Sequence, residues 1–158
     1  MKKLKLYIET SVWNHLFADD APEKKAVTEE LFARIKFEKH EIFISRTVTA
    51  EIDNASEEKR KRLLSVIDEY SPVRLEIDEY TVELARFYIE NGLLSEDHLD
   101  DLLHLASATV NNLQILVSWN LKHLVKHKTR ILANSVNMKL GYREIDICRP
   151  EEVLEIGE

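Results

Sequence analysis

Residues 4–11, LKLYIETS, decide how the rest of the chain is read. Leu4, Leu6, Tyr7 and Ile8 make a short apolar run that fits a buried strand over 5–8. The run ends abruptly in one carboxylate and two hydroxyls, Glu9, Thr10 and Ser11. A charge at the tip of a buried strand is costly unless it is solvated, paired or holding a metal. Whether Glu9 is a solvated strand end or part of a site depends on what other segments bring to the same edge.

Further apolar runs give EIFIS, 41–45, as a second strand and VRLEI, 73–77, as a third. LQILVSW, 113–119, reads as a fourth and EIDIC, 144–148, as a last. Between them the pattern is helical. Pro22 sits at an N1 position, and 22–39 carries Ala26, Val27, Leu31 and Ile35 near a helical period. A short helix follows over 47–55. Ser56 caps another that Pro72 ends, and a helix over 78–92 stops at a C′ glycine, Gly92. Residues 95–112 give the most apolar helix, capped by Ser95 or Asp97. Helical segments are expected over 121–126 and 129–141, and Pro150 opens a terminal turn. Strands alternating with helices imply a parallel sheet covered on both faces. In such folds the site lies outside the carboxyl ends of the strands, where Glu9 and Asn120 fall.

The bulk numbers bound the function. At 158 residues, without repeats or a Pro/Gly-rich linker, 1–158 reads as one domain. With three glycines and three prolines, the chain favours helices over an all-β fold. Net charge is −7, which argues against a general nucleic-acid coat but leaves room for local basic rims. Two such runs occur, KRKR at 59–62 and KHLVKHKTR at 122–130, and composition alone favours solvated faces for both. The single cysteine, Cys148, fits a reducing compartment. No apolar run approaches the ~20 residues of a membrane span, and charge returns at Glu9 before a signal-type apolar region forms. A cytoplasmic protein with no membrane association is expected.

The remaining chemistry is carboxylate chemistry. On one continuous helix, Asp97, Asp101 and His104 fall at i, i+4 and i+7 and share a face. Asp97 alone is equally well an ordinary acid at a helix N-terminus. Asp101, among leucines and a turn further in, needs a partner. Glu51, taken singly, reads as a solvent-facing helix residue, and Asn120 as a turn asparagine. Together, acids from separate segments at one rim repel unless a hard cation sits among them. Mg²⁺ and Mn²⁺ prefer such oxygen donors. These ions bind phosphate oxygens and activate water for in-line attack. Zinc spacing, a Gly-rich phosphate loop and a GxSxG elbow are all missing from the sequence. Metal-assisted phosphodiester hydrolysis is the reaction class these acids suit.

Four stretches in this order, LYIETSVWNHLF, SRTVTAEI, DLLHLASATVNN and LVSWNLKHL, resemble the PIN-domain family, specifically VapC-like toxins of a branch with ETS and WNxKH motifs. They are spread from residue 6 to residue 124. The resemblance implies a flavodoxin-like α/β/α sandwich with a mainly parallel central sheet, an acidic Mg²⁺ or Mn²⁺ pocket, and endoribonuclease activity. It also implies a homodimer and an antitoxin protein as partner. It places the family's four site positions on Glu9, Glu51, Asp101 and Asn120, the first three as metal ligands. Thr10 or Ser11 becomes a holder of water at the metal, with Asp97 and His104 as accessories. Glu9 and Asn120 replace the family's usual aspartates. The longer Glu9 changes ligand reach, and the neutral Asn120 removes a charge. Trp119, Lys122 and His123 are candidate RNA contacts, Trp119 by stacking a base and Lys122 by offsetting phosphate charge. The competing readings are a core side chain for Trp119 and a hydrogen-bonded helix histidine for His104. A PIN-fold module with weak or lost catalysis, binding RNA or protein, is the alternative.

Overall fold

A computed structural model describes residues 3–156; residues 1–2 and 157–158, the ends of the expected 1–158 domain, lie outside the described residues. Five strands form one parallel sheet in the order β3-β2-β1-β4-β5. They are β1 Lys5–Ile8, β2 Glu41–Ser45, β3 Val73–Leu75, β4 Ile115–Val117 and β5 Asp146–Cys148. β1 lies at the centre. Tyr7 is in register with Phe43 on one side and Leu116 on the other. Leu6, Tyr7 and Ile8 are completely buried, as a strand covered on both faces requires. Burying each such apolar side chain contributes about 2 kcal/mol.

The helices are α1 Thr10–His15, α2 Pro22–Glu38, α3 Arg46–Asp53, α4 Glu57–Tyr70, α5 Glu79–Glu90, α6 Leu99–Val110, α7 His127–Lys139 and α8 Pro150–Glu155. Their contacts sort them into two layers. α1 touches α2 and α4, and α2 touches α8, whereas α5 touches α6 and α7. Right-handed crossovers require this division, because the chain steps from β1 to β3 in one direction and returns to β4 in the other. α3 contacts both α4 and α6 and so joins the layers at the carboxyl edge of the sheet. The strand order runs outward from β1 to β3 on one side and from β4 to β5 on the other, so the crevice between β1 and β4 at that edge is the switch point where α/β folds bind ligands.

Several local expectations change. α2 buries Thr28, Leu31, Phe32 and Ile35, and Ala26 is exposed; Phe32 continues the stripe one position on from Leu31. Residues 96–98 form a 3₁₀ turn, and α6 begins only at Leu99. The expected helix over 121–126 is a series of turns. Leu121, Leu124 and Val125 have helical spacing, but the Thr129 hydroxyl donates to the His123 carbonyl at 2.6 Å and takes an acceptor a continuing helix would use. α1, six residues of mixed propensity, carried no helical period and was not foreseen.

Candidate functional site

Glu9 is the N-cap of α1, and its side chain accepts from the Ser11 amide at 3.2 Å. Its Oε1 also accepts from the hydroxyls of Ser11 at 2.5 Å and Ser118 at 2.6 Å. Those hydroxyls are in turn polarised by backbone amides: Trp119 N donates to Ser11 Oγ, and Asn120 N to Ser118 Oγ. A carboxylate only 5% exposed thereby receives three hydrogen bonds, which offset its desolvation. The end of β4 thus holds the acid at the end of β1.

Glu51 comes from α3. Its Oε1 accepts from Thr10 Oγ1 at 2.8 Å and from His104 Nε2 at 2.5 Å. His104 is fully buried in α6, and its Nδ1 lies 2.7 Å from the Tyr7 hydroxyl. That hydroxyl is 2.7 Å from Ser45 Oγ, which accepts from the Thr47 amide at 3.2 Å. A continuous polar chain therefore runs from the start of α3, through the interior of the sheet, to the Glu51 carboxylate. His104 Nε2 is also 3.9 Å from Glu9 Oε2. One donor atom each from Glu9, Glu51 and His104 lies within 4.8 Å of the others.

Asp101 stands one turn before His104. Its Oδ1 accepts from Asn120 Nδ2 at 3.1 Å, and its Oδ2 is 3.8 Å from His98 Nδ1. Asn120 Oδ1 accepts from the His123 amide at 3.1 Å, so one amide side chain ties the acid to the loop after β4. Asp101 is outside the triangle of Glu9, Glu51 and His104 but shares its field. Burial raises its carboxyl above the usual range, and the charges of Glu9 and Glu51 push the same way against His104 and His123. Burial also opposes charge on Glu51, yet the hydrogen bond and charge of His104, with the Thr10 hydroxyl, hold its pKa below the ordinary value. Burial opposes charge on His104 as well, and there the Glu51 hydrogen bond and the charges of Glu9, Glu51 and Asp101 win, raising its pKa. Of the three residues, His104 is the one able to carry positive charge against the two carboxylates.

Other sequence candidates fall differently. Asp97 is exposed on the 3₁₀ turn, so the shared face with Asp101 and His104 is broken; the tighter turn, closed by His98 N to Ser95 O, rotates it away. Asp101 is in the first turn of α6, not deeper. Thr10 and Ser11 spend their hydroxyl protons on Glu51 and Glu9, which makes them holders of the carboxylates. Trp119 is 6% exposed, and its Nε1 donates to Thr28 Oγ1 at 2.9 Å, so the ring belongs to the core and offers no open face to a base. Lys122 is exposed beside the rim, and the His123 ring stacks on His98 with centroids 3.9 Å apart. In the 59–62 run, Lys61 pairs with Glu57 and Arg62 lies over Phe17.

Tyr7, Ser45 and Ser118 escaped the sequence reading. The one available signal was a polar group at the end of each of two apolar runs, Ser45 and Ser118. A groove of about 200 Å³ beside Ser45 is lined by Arg46, Thr49, Arg74 and Glu76, and Arg74 also pairs with Asp68 at 3.5 Å.

The donor set suits a divalent cation. Two carboxylates and one imidazole nitrogen meet at short range, and two of the three residues are buried. Like charges in that arrangement call for a positive partner.

No family model matches the sequence, and no curated protein does. Solved structures match the fold. One is the VapBC2 complex from Rickettsia felis bound to a DNA fragment from its promoter, with a TM-score of 0.56 and 18% identity over 92% of this chain and 98% of that one. Another is the DNA-bound VapBC complex from Salmonella typhimurium, with a TM-score of 0.57 and 15% identity over 93% and 98%. The parallel five-stranded sheet with its flanking helices is thus the PIN-like α/β architecture.

Proposed function

We propose that this chain is a metal-dependent endoribonuclease of the PIN-domain type, the toxin of a VapBC-type pair, hydrolysing RNA phosphodiester bonds. The observation that carries the reading is the meeting of Glu9, Glu51 and His104 at the carboxyl edge of β1, with Asp101 in the same field. Fold likeness to chains of VapBC complexes supports it, as does the order of the four sequence motifs.

Glu9, Glu51 and Asp101 are the ligands in this reading. A divalent ion, Mg²⁺ or Mn²⁺, would supply charge neutralisation at the phosphate and acidify water. The chain's own residues do the rest. Ser11 and Ser118 fix Glu9, Thr10 and His104 fix Glu51, and Asn120 fixes Asp101. Preset carboxylates avoid reorganisation when substrate arrives. Lys122 and Arg46 supply positive charge along the rim of an otherwise acidic protein, as a phosphate backbone requires. An antitoxin protein and a second copy of the chain complete the proposed assembly in a cytoplasmic setting. Among the described residues no helix is long and apolar enough to cross a membrane.

One observation favours a weaker enzyme. Asn120 donates to Asp101, where a second carboxylate would instead add ligand charge. Incubating labelled RNA with the purified chain separates the two. The nuclease reading expects cleavage with Mn²⁺ or Mg²⁺ that EDTA abolishes. RNA binding without turnover at any ion concentration supports the inactive module.

A further inference from the structure

We propose that His104 is itself a metal ligand, through Nε2, so that the centre is a mixed carboxylate–imidazole site selective for Mn²⁺-like transition ions over Mg²⁺. The inference rests on the reading above that this rim holds a divalent ion, and goes beyond it in naming a nitrogen donor and the ion class.

The geometry carries it. Nε2 is hydrogen-bonded to Glu51 Oε1 at 2.5 Å and lies 3.9 Å from Glu9 Oε2, so a cation shared by the two carboxylates would take the place of the proton in that hydrogen bond. Asp101, assigned above as the third acid, stands outside this triangle and is bound by Asn120. Among the acids and histidines of the described residues, His104 is therefore the one that completes a set of three with Glu9 and Glu51. Behind the ring is the support that ligating histidines have. Nδ1 meets the Tyr7 hydroxyl, which meets Ser45, all of them buried. Both supports are hydroxyls, able to donate or accept, so the chain can reverse without moving a heavy atom. With Nδ1–H donating to Tyr7 and Tyr7 donating to Ser45, the Nε2 lone pair faces the carboxylates. Ligation releases the Nε2 proton to solvent and leaves the Nδ1 proton in place. An imidazole donor suits the first-row transition ions, Fe²⁺ to Zn²⁺ above all; Mn²⁺, at the weak end of that series, still takes a nitrogen ligand more readily than Mg²⁺, which holds to oxygen.

The test uses the full chain with Mn²⁺ and Mg²⁺ as probes, by calorimetric titration and by electron spin-echo modulation of the Mn²⁺-loaded protein. Wild type is expected to show a directly coordinated ¹⁴N and to bind Mn²⁺ at least about tenfold more tightly than Mg²⁺. In His104→Gln the ¹⁴N signal disappears and Mn²⁺ affinity falls about 10- to 100-fold, with Mg²⁺ little changed. Tyr7→Phe keeps the ring and the ¹⁴N signal but weakens Mn²⁺ about tenfold, and it decides the matter if His104→Gln does not fold. Bound Mn²⁺ without ¹⁴N coupling in wild type overturns the proposal. Equal losses of Mn²⁺ and Mg²⁺ in His104→Gln also overturn it, since His104 would then only hold Glu51. If wild type binds neither ion, the metal-holding rim fails and this inference with it. Binding of both ions without ¹⁴N coupling removes this inference alone.

Discussion

The surroundings of Glu9 are built for the length of its side chain. The side chain curls to cap its own helix while hydroxyls from Ser11 and Ser118 hold the other oxygen. Ser118→Ala removes a hydrogen bond to a charged, buried group and should cost about 1.5–3 kcal/mol in urea unfolding, with the fold kept. Glu51→Gln keeps the shape but loses the charge, so metal-dependent RNA cleavage should fall on the order of 100-fold while circular dichroism stays the same. Unchanged cleavage would remove Glu51 from the site. The sequence could show Glu9, Asp101 and Asn120 as candidates because each ends a strand or interrupts an apolar run, whereas Glu51, which singly reads as solvent-facing, was marked by the resemblance of SRTVTAEI. It could not show Tyr7, and it marked Ser45 only as a polar group ending an apolar run, because their role lies in a contact between β1, β2 and α6 that only tertiary packing creates. Asp97 was misplaced because i, i+4 spacing presumes an unbroken α-helix, and the 3₁₀ turn is not one.

At the scale of elements, the strands were legible to within two residues, since apolar runs between helical patterns have few other solutions. Two caps were legible for chemical reasons. Ser56 accepts from the Lys59 amide at the start of α4, and Gly92 takes φ +77° after α5. A Cβ at Gly92 would meet nothing within 4 Å, so Gly92→Ala carries only the backbone cost, about 1–2 kcal/mol by thermal unfolding. A neutral substitution would mean the chain relaxes there. The short elements were not legible. α1 has six residues, too few for a period, and its start is fixed by the Glu9 cap. Residues 121–126 satisfy a helical spacing yet turn, because Asn120 and Thr129 take their backbone groups.

At the scale of the molecule, the acidic rim couples the fold to pH. His104 has a folded pKa above its ordinary 6.5, so its contribution is complete below about pH 6.5 and is lost as pH rises through the raised value. Glu51 has a folded pKa below its ordinary 4.5, so its contribution is present above that and is lost as pH falls through the lowered value. Asp101, raised above 3.8, makes ionisation of the folded state less favourable as pH climbs. In EDTA the Tm should therefore peak between about pH 4.5 and 6.5 and decline towards alkaline pH. Added Mn²⁺ should recover stability on the alkaline side. A Tm still rising through pH 8 in EDTA would contradict this balance.

The central claim is that Glu9 and Glu51, carried to one sheet edge by β1 and α3, share a divalent ion. Anomalous diffraction from crystals soaked in Mn²⁺ tests it directly. The account predicts a peak within about 2.2 Å of a carboxylate oxygen of each residue, at the carboxyl end of β1. A peak elsewhere, or none there at saturating Mn²⁺, would contradict it.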